Sequence, residues 1–271
     1  MTLNERLSET LDFLIKQDYN TAEIGIILGT GLGQLVNKMK ITKEIDYQEI
    51  PYFPVSTVES HKGKLILAEY QGRTILAMHG RFHYYEGYSM EQITYPVRCM
   101  KLLGIKKLLI SNAAGNMNRN FDKGELMLID DHINFQPDNP LIGLNDSKLG
   151  PRFPDMSCPY DKGMNEKLMN CAKELGITLR KGVYVSVTGP NLETRAEYRM
   201  FGQIADAIGM STVPEVLVAN HMSLPCAAIS VLTDDCDPDN LKPVELEEIL
   251  AIAAEAEKDL IRLFEKVVPL I

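Results

Sequence analysis

Residues 79–88, HGRFHYYEGY, carry two histidines, an arginine, a glutamate and three tyrosines. If the segment is extended, residues two apart share a face, and Arg81, His83 and Tyr85 line up. An arginine fork binds an oxyanion through paired N–H donors. His83 adds a donor, and Tyr85 adds an aromatic wall and a hydroxyl. That set suits an oxyanion beside a sugar. It also describes a solvated edge strand, and these ten residues alone leave both readings open.

Other segments carry chemistry of the same kind. GTGLG at 29–33 follows the apolar run IGIIL. Its glycines let a backbone approach an anion, and Thr30 adds a hydroxyl. It lacks the last glycine of a dinucleotide fingerprint, because Gln34 stands there, and no G-K-[ST] follows to make a P-loop. A tight structural turn fits it as well as a phosphate cradle does. SNAAG at 111–115 ends an apolar strand in small residues, Ala113, Ala114 and Gly115. These either pack tightly or leave room for a flat ring. In GPNLETRAEY at 189–198, Glu193 stands at the start of a helix, as a dipole-complementing cap or as an acceptor for heterocyclic N–H groups. LTDDCDPDN at 232–240 places Asp234 directly after a strand. The alternating Asp235, Asp237 and Asp239 do not make an EF-hand loop, since Asn240 and Leu246 occupy its sixth and twelfth positions. His61 falls on a loop, while His132 and His221 read as structural. No two histidines have metal-ligand spacing, and no metal is expected.

These segments need a frame, and the alternation of apolar runs supplies one. Strands are predicted at 24–28, 64–70, 73–80, 106–115, 125–134, 182–190 and 226–233, with the second and third forming a hairpin at Gln71-Gly72. Helices are predicted at 89–104, 164–176, 193–204 and 212–222, and a long one opens at Pro243. The fold class is α/β: one domain over 1–271, with a central mixed, mostly parallel twisted sheet flanked by helices. Chemistry belongs at the carboxyl ends of such strands, where 29–33, 111–115, 189–193 and 233–239 all fall.

Charge and cysteines narrow the function. A net charge of -9 gives no global attraction for nucleic acid or an anionic membrane, so an anion site must be local. Five cysteines without a C-x-x-C pair argue against a disulfide framework and a zinc knuckle, and for reduced thiols in a cytoplasmic enzyme. The opening MTLNERLSETLDFLIKQ has acidic residues where a leader would be apolar, so it is expected to be an amphipathic helix on Leu3, Leu7, Leu11 and Leu14.

Taken in order, GTGLG, HGRFHYYEGY, SNAAGNMN, DHINF, RFPDMS, GPNLETRAEYRMF and ADAIGMSTVPEVLVA resemble the trimeric purine nucleoside phosphorylase family over nearly the whole chain. The resemblance implies phosphate-dependent cleavage of a purine nucleoside, without a cofactor, by a homotrimer. It implies that Thr30, His61, Arg81, His83, Ala113 and Ser211 hold phosphate. Tyr85 and Met210 would meet the ribose, with Phe153 reaching in from a neighbouring subunit. Ala113, Ala114, Gly115, Leu192, Glu193 and Asp234 would border the base, and Glu193, Asp234 and His83 would serve catalysis. Two positions depart from the pattern. Asp234 stands where family members restricted to 6-oxopurines carry asparagine, and Leu246 stands where many have a histidine facing the 5′-hydroxyl. Both lean toward 6-aminopurine substrates, adenosine or methylthioadenosine. The motifs around Glu193, Tyr85 and Glu86 favour inosine and guanosine, which remain the expected substrates. Two further readings stand beside this one: an NAD-dependent dehydrogenase on GTGLG, disfavoured by its missing glycine, and a nucleoside-binding protein without catalysis.

Overall fold

The run IGIIL forms β1 (Ile24–Leu28), buried along its whole length in a computed structural model that describes residues 1–57 and 62–271. Ile24, Ile26 and Leu28 face one apolar layer and Ile27 the other, as strand pleating requires. β1 pairs in parallel with β4 (Arg73–His79) on one side and β5 (Lys107–Asn116) on the other. β3 (Lys64–Tyr70) and β4 form the expected hairpin, in which Tyr70 faces Arg73 and the connecting Gln71 and Gly72 both have positive φ. Such left-handed pairs match the twist of the flanking strands. Outside β3 lies β2 (Lys40–Asp46), which hydropathy did not reveal. As a largely exposed edge strand it carries the charges that edges favour.

On the other side of β1 the sheet closes. β5 pairs with β8 (Ala207–Gly209) and β9 (Cys226–Asp235). β8 pairs with β7 (Leu179–Ser186), β7 with β6 (Leu126–Asn134), and β6 with β9. These five strands form a ring, so the nine-stranded sheet is open at β2 and barrel-like beyond β5. Among the described residues, five of the nine pairings are parallel (β1–β4, β1–β5, β5–β9, β6–β7, β7–β8), as expected of a mixed sheet. The three-residue β8 was too short to be legible.

Helices cover both faces. α1 (Leu3–Ile15), α2 (Met90–Leu102) and α5 (Val213–His221) bury Leu7, Leu14, Ile93, Val97 and Val216 in one layer. α3 (Lys162–Leu175) and α6 (Leu246–Val267) bury Leu168, Leu260 and Phe264 in the other. A smaller cluster at the ring's mouth joins α4 (Arg195–Phe201) to β7, β8 and Cys236. Among the described residues no helix is long and apolar enough to cross a membrane.

Four local expectations are corrected. β5 does not break at Ala113–Gly115 but stays paired to Asn116, held by neighbours on both edges. α4 starts at Arg195, because Thr194 accepts from the N–H of Glu197 and Glu197 reaches back to Thr194; this capping box ends the helix there. Glu193 is therefore no cap. α6 starts at Leu246, three residues past Pro243. The segment 79–88 is extended only through His83 and then turns into a 3-10 helix, Tyr84–Glu86.

Gly29, where β1 gives way to its loop, lies against β5. A Cβ there would stand 2.7 Å from the Ser111 carbonyl oxygen and 2.8 Å from Asn112 Cα. Backbone on both sides cannot yield cheaply. Gly29→Ala is expected to lower stability by about 1–3 kcal/mol, read as a fall in the melting midpoint.

Candidate active site

The loops after β1, β4, β7 and β8 converge with the ends of β5 and β9 on a cleft of about 680 Å³. One end is polar and cationic. Arg81, 1% exposed, follows β4, and its Nε lies 3.2 Å from Glu215 Oε1 on α5. Its Nη1 donates to Ser211 Oγ at 3.3 Å. Glu215 is itself buried, which raises its pKa, while Arg81 pulls it back. The carboxylate aims the guanidinium and partly balances it, leaving Nη1 directed at the Ser211 side. Ser211 is fixed in turn, because its carbonyl accepts from Ser186 Oγ at 3.0 Å and its N–H donates to Tyr184 Oη at 3.3 Å. Thr212 follows with φ of +67°, a rare conformation for a β-branched residue. Asn112 Nδ2 holds its hydroxyl at 2.8 Å. Strain of this kind persists where surroundings over-determine it, as at binding sites.

His83 is oriented by Glu86. The His83 N–H and Nδ1 lie 2.8 and 2.9 Å from Glu86 Oε1, while Thr57 donates to Oε2 through its N–H and hydroxyl. Burial alone would raise the Glu86 pKa, but the bonds from His83 and Thr57 hold it down at about 2. Burial lowers the His83 pKa against the upward pull of Glu86. The ring is thus neutral at pH 7, with the Nδ1 proton on the Glu86 side and Nε2 as an acceptor. This refines the expected donor role: Nε2 donates only when the ring is protonated, and otherwise receives a proton. The Tyr85 ring stacks on His83, with centroids 4.7 Å apart and planes 13° apart; His83 is the last extended residue and Tyr85 lies in the 3-10 turn that follows, not on one strand face.

The other end is apolar with two carboxylates. Ala113, Ala114 and Gly115 lie in β5, and Leu192, Ile208 and Met210 complete a flat-sided slot. Glu193 precedes α4, and its pKa is raised, chiefly by burial, against a hydrogen bond from Tyr198. Asp234 in β9 accepts from Thr233 Oγ1 at 2.9 Å and from Cys236 Sγ at 3.4 Å. Leu246, Ile249 and Leu250 of α6 form an apolar border.

The cleft therefore gathers Thr30, Arg81, His83, Tyr85, the 113–115 strand, Leu192, Glu193, Met210, Ser211, Asp234 and Leu246. His61 lies outside the described residues. Phe153 does not line this cleft and is 87% exposed. Sequence reading missed Glu215, visible only as an acidic residue in an apolar helix, and the partners Tyr198 and Cys236. It also missed Glu257, 1% exposed on α6, whose Oε1 accepts from the Leu35 N–H at 3.1 Å behind the 29–33 loop. Burial lifts the Glu257 pKa to about 7, against hydrogen bonds from Leu35 and Gln34. The residues three and four positions from it in α6, Ala253, Ala254, Leu260 and Ile261, are all apolar, which is the sequence signal it gives. Among the described residues no cluster of histidine, cysteine and acidic side chains could hold a metal ion.

Residues 23–269 match the family described as the phosphorylase superfamily. Purine nucleoside phosphorylase 1 of Bacillus subtilis (strain 168) is 43% identical over 267 residues, covering 98% of each chain. Purine nucleoside phosphorylase of Bos taurus is 42% identical over 264 residues, 94% of this chain and 91% of the relative. Isoform 2 of purine nucleoside phosphorylase from Schistosoma mansoni, solved in complex with cytosine and ribose-1-phosphate, superposes with a TM-score of 0.92 at 39% identity, covering 97% of this chain and 95% of that one. The Schistosoma mansoni enzyme in complex with adenosine gives 0.89 at 36% identity, covering 97% and 96%.

The Glu257 carboxyl holds its proton more tightly in the folded protein than in the unfolded chain, where the ordinary value is 4.5. Its contribution to stability is complete below that value and is lost as pH rises through about 7. Glu257→Gln removes the titration. The variant's melting midpoint, set against that of the unaltered protein, is expected to gain ground from about pH 5 to about pH 8.

Proposed function

The chain belongs to the phosphorylase superfamily, and from that membership we propose that it is a purine nucleoside phosphorylase. It cleaves the N-glycosidic bond of purine nucleosides with inorganic phosphate, giving a free purine and a pentose 1-phosphate. The observation that carries this reading is one cleft with a buried arginine and a serine hydroxyl at one end and two carboxylates at the other, joined by an apolar wall.

The chemistry needs that separation. The C1′–N9 bond breaks through an oxocarbenium-like sugar, so an anion must sit against C1′ while the departing purine is stabilised. Arg81, Ser211, Thr30 and the backbone at Ala113 would hold phosphate, supplying charge and proximity. His83, neutral with its Nδ1 proton toward Glu86, would accept a phosphate O–H through Nε2. Tyr85 and Met210 would pack on the ribose. Glu193 would accept from the base edge, and Asp234 would face O6 and N7. Phosphate is a co-substrate here and no cofactor is called for.

The leading substrates are 6-oxopurine nucleosides, inosine and guanosine. A second reading, adenosine or methylthioadenosine, is favoured by Asp234, whose carboxylate can accept from a 6-amino group, and by the apolar Leu246 at the cleft border. A homotrimer fits the exposure of Phe135, Ile142, Leu144 and Phe153 between β6 and α3, a density of bare apolar side chains that marks an interface. Phe153 would then complete a neighbour's ribose site. The reduced cysteines, all free thiols, suit the cytoplasm.

Release of hypoxanthine from inosine that requires phosphate tests the reaction, and no release under any phosphate concentration would sink it. Arg81→Ala is expected to lower kcat/KM about 10²- to 10³-fold, with phosphate KM rising. Asp234→Asn is expected to raise the inosine-to-adenosine ratio of kcat/KM values about tenfold, since an amide donates without needing a proton; an unchanged ratio would remove Asp234 from base selection.

A further inference from the structure

The 29–33 loop that brings Thr30 to the cleft is gripped from three sides. Gly29 lies against β5. A Cβ at Gly33 would stand 2.5 Å from His79 Nε2 at the end of β4, and one at Gly31 would stand 2.9 Å from Ala253 Cβ on α6. The loop runs into a 3-10 helix, Gln34–Lys38, whose N-cap Gly33 offers no side-chain cap. The first N–H groups of a helix have no partner inside it. That of Leu35 is buried, and it donates to Glu257 Oε1 at 3.1 Å across 222 residues of chain.

Glu257 stands in an apolar layer, and a carboxyl buried there is costly. Its Oε2 has no hydrogen-bond partner among the described residues, so the contact with Leu35 sets its place. Leu250, Ala253 and Glu257 are three and four positions apart and share one face of α6. Leu250 borders the cleft, Ala253 meets Gly31, and Glu257 holds Leu35. This face follows the loop from the cleft inward. We propose that Glu257 is a positioning residue of the phosphate site: a cap supplied by α6, which fixes the turn from Gly29 to Leu35 and with it the place of the Thr30 hydroxyl. This rests on reading Thr30 as a phosphate ligand. Glu257 itself lies behind the loop and acts through it.

An acceptor at this point has a definite effect. Without it the Leu35 N–H is buried and unmet, and the chain relieves that loss by turning the amide toward another acceptor. Leu32, Leu35 and Val36 are packed in one layer with Ala253, Ala256 and Leu260. The movement therefore passes to the part of the loop that packing does not hold, and Thr30 and Gly31 are its half-buried residues next to the cleft. A hydroxyl that moves off its position no longer meets a bound oxyanion at hydrogen-bond distance. Glutamine keeps an oxygen acceptor at 257. Methionine has a similar length and shape and lacks that oxygen, so the two substitutions separate the acceptor from the packing.

The test measures kinetics with inosine and phosphate, and sulfate binding by calorimetry, in the full-length protein. The variants are Glu257→Met, Glu257→Gln, Thr30→Ala and the double variant of Thr30→Ala with Glu257→Met. Glu257→Met raises phosphate KM and the sulfate Kd about tenfold, while inosine KM at saturating phosphate stays put. Glu257→Gln returns both values to those of the unaltered protein. On the Thr30→Ala background, Glu257→Met adds no further rise, because the two residues act as one unit. Hydrogen exchange in the unaltered protein supplies a readout that needs no variant and decides the matter should Glu257→Met fail to fold. Sulfate slows exchange across 32–38 and leaves α3 unchanged, since the cap and the anion favour the same loop position. The inference is overturned by a Glu257→Met enzyme with unchanged phosphate KM, by Glu257→Gln behaving as Glu257→Met does, by a rise that persists in full on the Thr30→Ala background, or by exchange that sulfate does not slow. A Thr30→Ala enzyme with unmoved phosphate KM, or a protein that releases no base in phosphate, overturns the reading of the cleft and this inference with it.

Discussion

The pairing of Arg81 with Glu215 at 3.2 Å, both buried, is the constraint around which the site is arranged. A chain of net charge -9 cannot draw an anion by its overall field, so the attraction has to be built at one point. A guanidinium withdrawn from water is costly unless its N–H groups are met. Glu215 meets Nε of the fork, and Nη1 donates to Ser211. Ser211, Thr212 and Glu215 lie together at the start of α5, so the same turn that carries the hydroxyl also carries the counter-charge. Arg81 and Glu215 are 134 residues apart in the chain, and bringing them together is a task for the whole sheet.

The sheet's closure accomplishes it. β5 is shared between the open half, through β1, and the ring, through β8 and β9. Its small residues Ala113–Gly115 therefore stand where loops from both halves meet. The open half contributes Thr30 and the segment from Arg81 to Tyr85. The ring contributes Glu193, Ser211 and Asp234. Arg81 and the two carboxylates are thus mounted on different halves, with Ser211 reaching the arginine from the ring and an apolar strand between the two ends of the cleft. Stable elements hold each group: Glu86 locks His83, and Thr233 and Cys236 hold both oxygens of Asp234. Such fixed donors and acceptors act without reorganising during reaction.

Much of this was legible beforehand, for definite reasons. Long apolar runs such as IGIIL and KKLLIS give a strand pattern that no turn residue interrupts, and the strands β1, β3, β4, β5, β6 and β9 lie where the pattern puts them, while β7 (Leu179–Ser186) lies earlier than the expected 182–190. The polar edge strand β2 and the short β8 gave no such signal, because a strand whose residues face water or span three positions has no periodicity to read. Glu193 looked like a helix cap because it sits before α4. Thr194 and Glu197 take that role, and Glu193 is left for the cleft.

The sequence by itself determined the inventory: which segments are strands, which loops follow their carboxyl ends, and that an arginine, two histidines, hydroxyls and acidic residues occupy those loops. Residue type and local spacing act over a few positions, and that range suffices for elements and motifs. Tertiary structure alone decided the pairings. Glu215 meets Arg81, Glu86 holds the proton side of His83, Cys236 reaches Asp234 past Gly115, and Glu257 is buried behind the 29–33 loop. Most of these contacts join residues far apart in the chain, and the charge state of each group follows from burial and from partners that exist only once the ring has closed.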